Sequence, residues 1–306
     1  MRLRLAAICV CVSGAAAVPP PTTSNLSVGD GESLFVARYG PRDGEPVLIL
    51  PGPVGSDAAH AKVAERLAAR GRHVVVMDPL GMGRSARPRG ADYSLAAQSE
   101  RIARASARLG MTRVTVVAQG VSASIAWFLA ARHPSLIDGI VSIEGGIVEQ
   151  QGTPGLSRTR ALAPLARTPI GRMIARRRFH RALVDASHDG AWVTDSVVDR
   201  YLAPMLHDLP GTLAVLDRMQ RTAPDSTRRV LPAVRAPVTL LLGRDRRGEA
   251  GAVRADEVAA LAALVHARVD TVDRSGPHIQ QERPDAVVAA VDALPRRALT
   301  ADRSPD

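Results

Sequence analysis

Lysine is nearly absent from this chain: Lys62 is the only one, although the formal net charge is +10. Arginine therefore carries the positive charge, and it is scattered along the sequence. Aromatic residues are also scarce, at 3%. Scattered arginines without aromatic side chains to stack on bases do not make a nucleic-acid footprint, so no nucleic-acid partner is expected. Cysteine occurs only at Cys9 and Cys11, so nothing beyond the first apolar segment can form a disulfide. The eight histidines lie apart, without His-x-x-x-His spacing, and no glycine-rich phosphate loop follows a strand. No metal or cofactor is expected. A packed core has to be built from Ala, Val and Leu, and a hydrophobic content of 46% is ample for one.

The N-terminus has a layout of its own. Met1-Arg-Leu-Arg4 is positive, Leu5 to Val18 is apolar, and Ala15-Ala16-Ala17 fits a small-residue cleavage site. That is the pattern of a secretory signal peptide over 1–17, so an exported chain is expected, secreted or held in the cell envelope. The apolar run is short of the ~20 residues that span a bilayer; an uncleaved anchor is the alternative. Val18-Pro-Pro-Pro21 opens a stiff linker over 18–26.

Beyond the linker, a hairpin is expected around Gly29-Asp-Gly31, with a strand Leu34–Tyr39. Apolar runs of strand length recur at Val47–Leu50, His73–Met77, Val114–Ala118, Ile137–Ile143, Val238–Leu242 and Ala267–Val272. Helical spacing fills Ala59–Ala69 and Ser94–Leu109. Alternating strands and helices predict an α/β fold: a mostly parallel, twisted sheet of about eight strands with helices on both faces. From 147 to 229 there are only arginine-rich amphipathic segments broken by prolines, which predicts a helical cap inserted into a core of 27–146 and 230–295. The polar 296–306 reads as a flexible tail.

Five segments carry a resemblance. Pro46-Val-Leu-Ile-Leu-Pro-Gly52 is a strand and turn, and Val74-Val-Val-Met-Asp-Pro-Leu-Gly-Met-Gly-Arg-Ser85 a strand followed by Asp-x-x-Gly-x-Gly-x-Ser. Val114-Thr-Val-Val-Ala-Gln-Gly-Val-Ser-Ala-Ser-Ile-Ala126 reads as strand, tight turn and helix start. Ala236-Pro-Val-Thr-Leu-Leu-Leu-Gly243 and Gly276-Pro-His-Ile-Gln-Gln-Glu-Arg-Pro284 follow in order. Together they resemble the α/β-hydrolase superfamily, in its cap-bearing branch similar to epoxide hydrolases, haloalkane dehalogenases and esterases.

The resemblance implies a nucleophile, a histidine base, an acid and two oxyanion donors. The nucleophile's place, at the centre of the tight turn, is taken by Gly120, which has no side chain. The base would stand directly after Gly276, where the sequence has Pro277; His278 is the next residue. One oxyanion donor would be Pro53, which has no backbone N–H, and Val121 could supply the other. The acid's usual place holds Arg246, with Asp245 beside it; Glu144, after the sixth strand, is the alternative used by dehalogenase-like members. Asp78 matches a structural position.

The expected function is that of an exported protein of this fold without triad catalysis. Its pocket, between core and cap, would hold a small apolar ligand, with Gly120, Val121, Pro53 and Pro277 around it. The alternative is an active hydrolase of esters or related acyl bonds, rearranged around Ser122 and His278 with Asp245 or Glu144 as acid. Ser122 also fits a helix-start hydrogen-bonding role, and Asp245 a turn paired with arginine. Arg172 and Arg176-Arg-Arg-Phe-His-Arg181 form a basic cluster in the cap, read as a solvated face, with contact to a membrane surface or anionic ligand as the sharper reading.

Overall fold

The computed structural model describes residues 19–52, 56–146, 168–220, 226–245, 255, 258–261, 264 and 266–295. The segment expected to be a signal peptide (1–17), Pro53, residues 147–167 of the expected cap, Arg246 and the tail 296–306 lie outside the described residues.

Strands β1 (Thr22–Gly29), β2 (Glu32–Tyr39), β3 (Pro46–Leu50), β4 (His73–Met77), β5 (Val114–Gln119), β6 (Ile137–Ile143), β7 (Val238–Gly243) and β8 (Ala267–Val272) form one sheet in the order β1-β2-β4-β3-β5-β6-β7-β8. β1 and β2 are a hairpin, and β2 pairs antiparallel with β4; the other pairings are parallel. This is the mostly parallel sheet that the apolar runs predicted. The central strands β3 and β4 read as nearly continuous apolar runs because both faces are covered. In β3, Leu48 and Leu50 face one core cluster while Val47 and Ile49 face the other, as the period-2 geometry of a strand requires. Helices α1 (Ala61–Ala69) and α9 (Pro284–Ala293) cover the Val47 side, through Val63, Leu67, Val287 and Val291. Helices α2 (Leu95–Arg108) and α3 (Val121–Arg132) cover the other, through Ile102, Ile125 and Trp127.

After β6 the chain leaves the core. Helices α4 (Pro169–Ala186), α5 (Asp195–His207), α6 (Leu209–Gln220) and α7 (Ser226–Val230) precede β7, and α8 (Ile279–Glu282) follows β8. Thr168 and Thr194 cap α4 and α5, each side chain accepting a hydrogen bond from the third residue on. Leu183, Trp192, Val198, Tyr201 and Leu202 make a small apolar cluster of their own, seated on Ala59 of the core. Arg87 adds a polar tie. It donates to the Thr212 hydroxyl at 3.0 Å and to the Pro204 carbonyl at 3.4 Å.

The turn after β4 is held by Asp78. Its buried carboxylate accepts the Ser56 hydroxyl and the Arg84 N–H, and Gly83 is needed because a Cβ there would run into that carboxylate. Ser85 closes the turn, donating to the Asp78 carbonyl at 2.6 Å and accepting the Phe35 N–H at 2.8 Å. Asp78 is thus a fold-holding residue, as its sequence position implied.

Candidate functional site

The end of β5 makes a sharp turn into α3. Gly120 sits at its apex with φ 56° and ψ −128°, a conformation that glycine adopts freely and other residues only under strain. Its N–H donates to the Ile143 carbonyl at 3.2 Å, and its carbonyl accepts the Ala123 N–H at 2.9 Å. The loop after β6 presses on this turn: a Cβ on Gly146 would lie 2.7 Å from the Gly120 carbonyl oxygen. A Cβ on Gly120 itself would meet nothing within 4 Å. The turn therefore has open space in front of its apex, and Gly120 places no side chain in it.

The candidate side chains around the elbow are each engaged elsewhere. Ser122 is fully buried, and its hydroxyl donates to the Pro51 carbonyl at 2.5 Å, with the Met82 sulfur at 3.8 Å. That bond directs it into the end of β3, and no hydrogen bond joins it to His278. His278 instead packs on the cap: its ring lies 5.2 Å, centroid to centroid, from that of Trp192. Its Nδ1 is buried without a partner, and burial lowers its pKa to about 4. The neighbouring His60 is wholly buried, and burial, with a smaller contribution from His278, lowers it to about 3. Both rings are therefore neutral at pH 7, and His278 packs on Trp192, itself beside Tyr201.

The two acids have structural partners. Glu144, at φ 64°, accepts the Gly243 N–H at 2.5 Å and donates its own N–H to the Leu241 carbonyl at 2.9 Å, so it stitches the ends of β6 and β7 together. Asp245 accepts from His188 Nδ1 at 2.6 Å, not from an arginine among the described residues. His188 comes from the cap, just after α4, and its N–H donates to Glu282 at 2.7 Å. The other Glu282 oxygen takes the Gly276 N–H, also at 2.7 Å. This His188–Asp245–Glu282 tie escaped the sequence reading. His188 and Asp245 are 57 positions apart, and no periodic signal connects them.

Gln119 was missed as well. Its amide spans from the elbow to the C-terminal loop, donating to the Pro277 carbonyl at 3.4 Å and accepting from Gln280 Nε2 at 3.0 Å. The elbow and the loop that would carry the base thus remain in register, joined by neutral amides. The buried Gln280 Oε1 and Tyr201 hydroxyl have no well-formed hydrogen bond, although that hydroxyl lies beside the Gln280 and Gln281 amides. Buried polar groups of this kind favour a hydrogen-bonding companion.

Two clefts, of about 330 and 310 Å³, lie beside α8. Lys62, Gln281, Glu282 and Arg283 line both, and Gly120, Val121 and Pro277 line neither. Among the described residues there is no group of three or more His, Cys, Asp or Glu that could hold a metal ion, and no helix is long and apolar enough to cross a membrane.

Residues 45–169 match the family model described as alpha/beta hydrolase fold. An uncharacterised protein of Mycobacterium tuberculosis is 29% identical over 225 residues, which cover 71% of this chain and 60% of that protein. Lipase 3 of a Moraxella species is 24% identical over 231 residues, covering 66% of this chain and 71% of the lipase. Among solved structures, a 2-hydroxy-6-oxo-6-phenylhexa-2,4-dienoate hydrolase from a Rhodococcus species superposes with a TM-score of 0.72 at 18% identity, over 90% of this chain and 98% of that one.

Proposed function

For a chain with the α/β-hydrolase fold, we propose a binding role without triad catalysis: an exported protein that holds a small, largely apolar ligand between core and cap. The observation that carries this reading is the elbow. Gly120 keeps the turn's backbone with open space where a side chain would stand, and a glycine cannot attack a carbonyl. Pro277 stands where a base would be, offering only a carbonyl that Gln119 already engages. Removing one member of a triad commonly lowers the rate by ~10⁴ or more, and here two are missing. The Pro53 position, with no N–H to donate, adds a third loss. The space freed by two small side chains is wider and less polar, which suits an apolar ligand. The lipase name of one relative is in keeping with an acyl-like molecule. Gln280 and Tyr201 offer such a ligand neutral hydrogen-bonding groups.

Nothing in the geometry favours a rearranged hydrolase, because the Ser122 hydroxyl is committed to Pro51 and His278 to Trp192. The test is a thermal-shift and calorimetric screen of medium-chain fatty acids, esters and alcohols. Saturable binding is expected for the wild-type chain, and Gly120→Leu, which fills the elbow space, should weaken it at least tenfold. Turnover of any ester that binds would refute the reading. Export is tested separately, by N-terminal sequencing of the chain recovered outside the cytoplasm, with a new terminus expected near Val18.

A further inference from the structure

Helix α4 carries five arginines, at 172, 176, 177, 178 and 181, and one acid, Asp185. Its inner side is accounted for. Leu183 and Phe179 pack into the apolar cluster of Trp192 and Tyr201, and Arg176 pairs with Asp195 and Asp199 of α5. The outer side is unusual. Ile170, Met173, Ile174 and Val184 are 66, 46, 37 and 36% exposed, which makes them four of the six exposed large hydrophobics among the described residues. At about 100° per residue they fall, together with Arg177 and Arg181, within an arc of about 100°. A solvated helix face carries charges and few large aliphatics, so this face departs from the basic, water-facing surface that the arginine run alone suggests.

We infer that the outer face of α4 docks on an anionic lipid surface, its aliphatic residues entering the headgroup boundary while Arg177, Arg178 and Arg181 meet lipid phosphates. Both halves of the pattern are needed for that partner: apolar area inserts, and arginine pairs with phosphate as a fork of donors. A nucleic acid would use the arginines and leave the Ile–Met–Ile patch against phosphates. A twofold pairing of α4 with its copy would bury the patch but set Arg177, Arg178 and Arg181 against themselves. The helix orientation is already fixed by the Arg176 ion pairs and by Leu183, so docking requires no refolding. This surface is independent of the elbow and of any ligand held there.

The experiment is co-sedimentation of the full chain with phosphatidylcholine vesicles, with and without about 30% phosphatidylglycerol, at low and high salt. The wild type is compared with Arg177→Glu/Arg181→Glu and with Ile170→Ser/Ile174→Ser. These are exposed or rim positions, and circular dichroism checks that each variant is folded. Partition into anionic vesicles should fall at least tenfold in both variants, and salt should weaken the wild type. Partition that neither pair changes would overturn the inference. So would a concentration-dependent dimer, seen by light scattering, that the Ile170→Ser/Ile174→Ser variant dissolves.

Discussion

At the scale of single residues, Gly120 holds a sharp turn with open space in front of it and no side chain to fill it. Its φ of 56° is the conformation an elbow imposes on whatever stands there, and the strain of that conformation is one a glycine does not feel. Gly120→Ser should therefore fold, because a Cβ meets no neighbour, at a cost of about 1–2 kcal/mol in chemical denaturation for a non-glycine residue at positive φ. It should gain no ester turnover, since Pro277 supplies no base; measurable turnover by this single variant would show that a base exists elsewhere. Ser122 illustrates the opposite case, a reactive group used for structure. Ser122→Ala removes the bond to the Pro51 carbonyl and should destabilise by about 1 kcal/mol, with no effect on ligand affinity. Both residues were placed by the sequence, since the strand–turn–helix pattern fixes the register. Where the Ser122 hydroxyl points was not, because that depends on β3, some 70 residues upstream.

At the scale of elements, the cap sits directly on the loop that would present a catalytic base. A Cβ on Gly276 would run into the Ala186 carbonyl at the end of α4, and the His188 ties to Asp245 and Glu282 cross the same junction. Gly276→Ala should cost about 1–3 kcal/mol by overpacking. It should also speed hydrogen exchange at the C-terminal end of α4 and across Ser275–Gln281. Gly90→Ala, where a Cβ meets nothing within 4 Å, is the control and should leave both unchanged. Strands β2 to β8 were legible as elements because apolar runs between turn residues are local signals, and the Asp78–Ser85 turn because its spacing is a motif. β1 was not: its polar start, residues 22–26, reads as part of the linker 18–26 and is a strand held by pairing with β2. The junction was not legible. Gln119 with Gln280, and His188 with Asp245, are meetings of side chains from separate segments, set by how the cap packs on Ala59. The arginines of α4 were legible as a basic run; the aliphatic half of its outer face was not, because arginines and aliphatics share that face and the helix has no clean polar side to read.

At the scale of the molecule, buried titratable groups set how stability responds to pH. His60 and His278 have pKa values lowered by burial from 6.5 to about 3 and about 4. The unfolded chain thus takes up protons on them first, and their contribution is lost as pH falls below 6.5. Asp78, raised by burial from 3.8 to about 7, has the opposite sign: its protonated folded form favours stability at low pH, and that is lost as pH rises toward 7. These three groups alone leave a net loss of about 1.4 kcal/mol per pH unit as pH falls from 6 toward 4, and His73, whose pKa is also lowered by burial, acts in the same direction. Urea midpoints across that range should follow this slope, and His60→Leu should flatten it; an unchanged slope would mean that His60 titrates as an ordinary histidine. The central claim, that the fold has kept the elbow and lost the reaction, is tested most directly by one measurement. The purified chain is treated with a fluorophosphonate probe, and its intact mass is recorded beside p-nitrophenyl ester turnover. The predicted result is an unmodified mass and turnover no faster than buffer. An adduct on Ser122, with turnover that Ser122→Ala and His278→Ala both abolish, would contradict it.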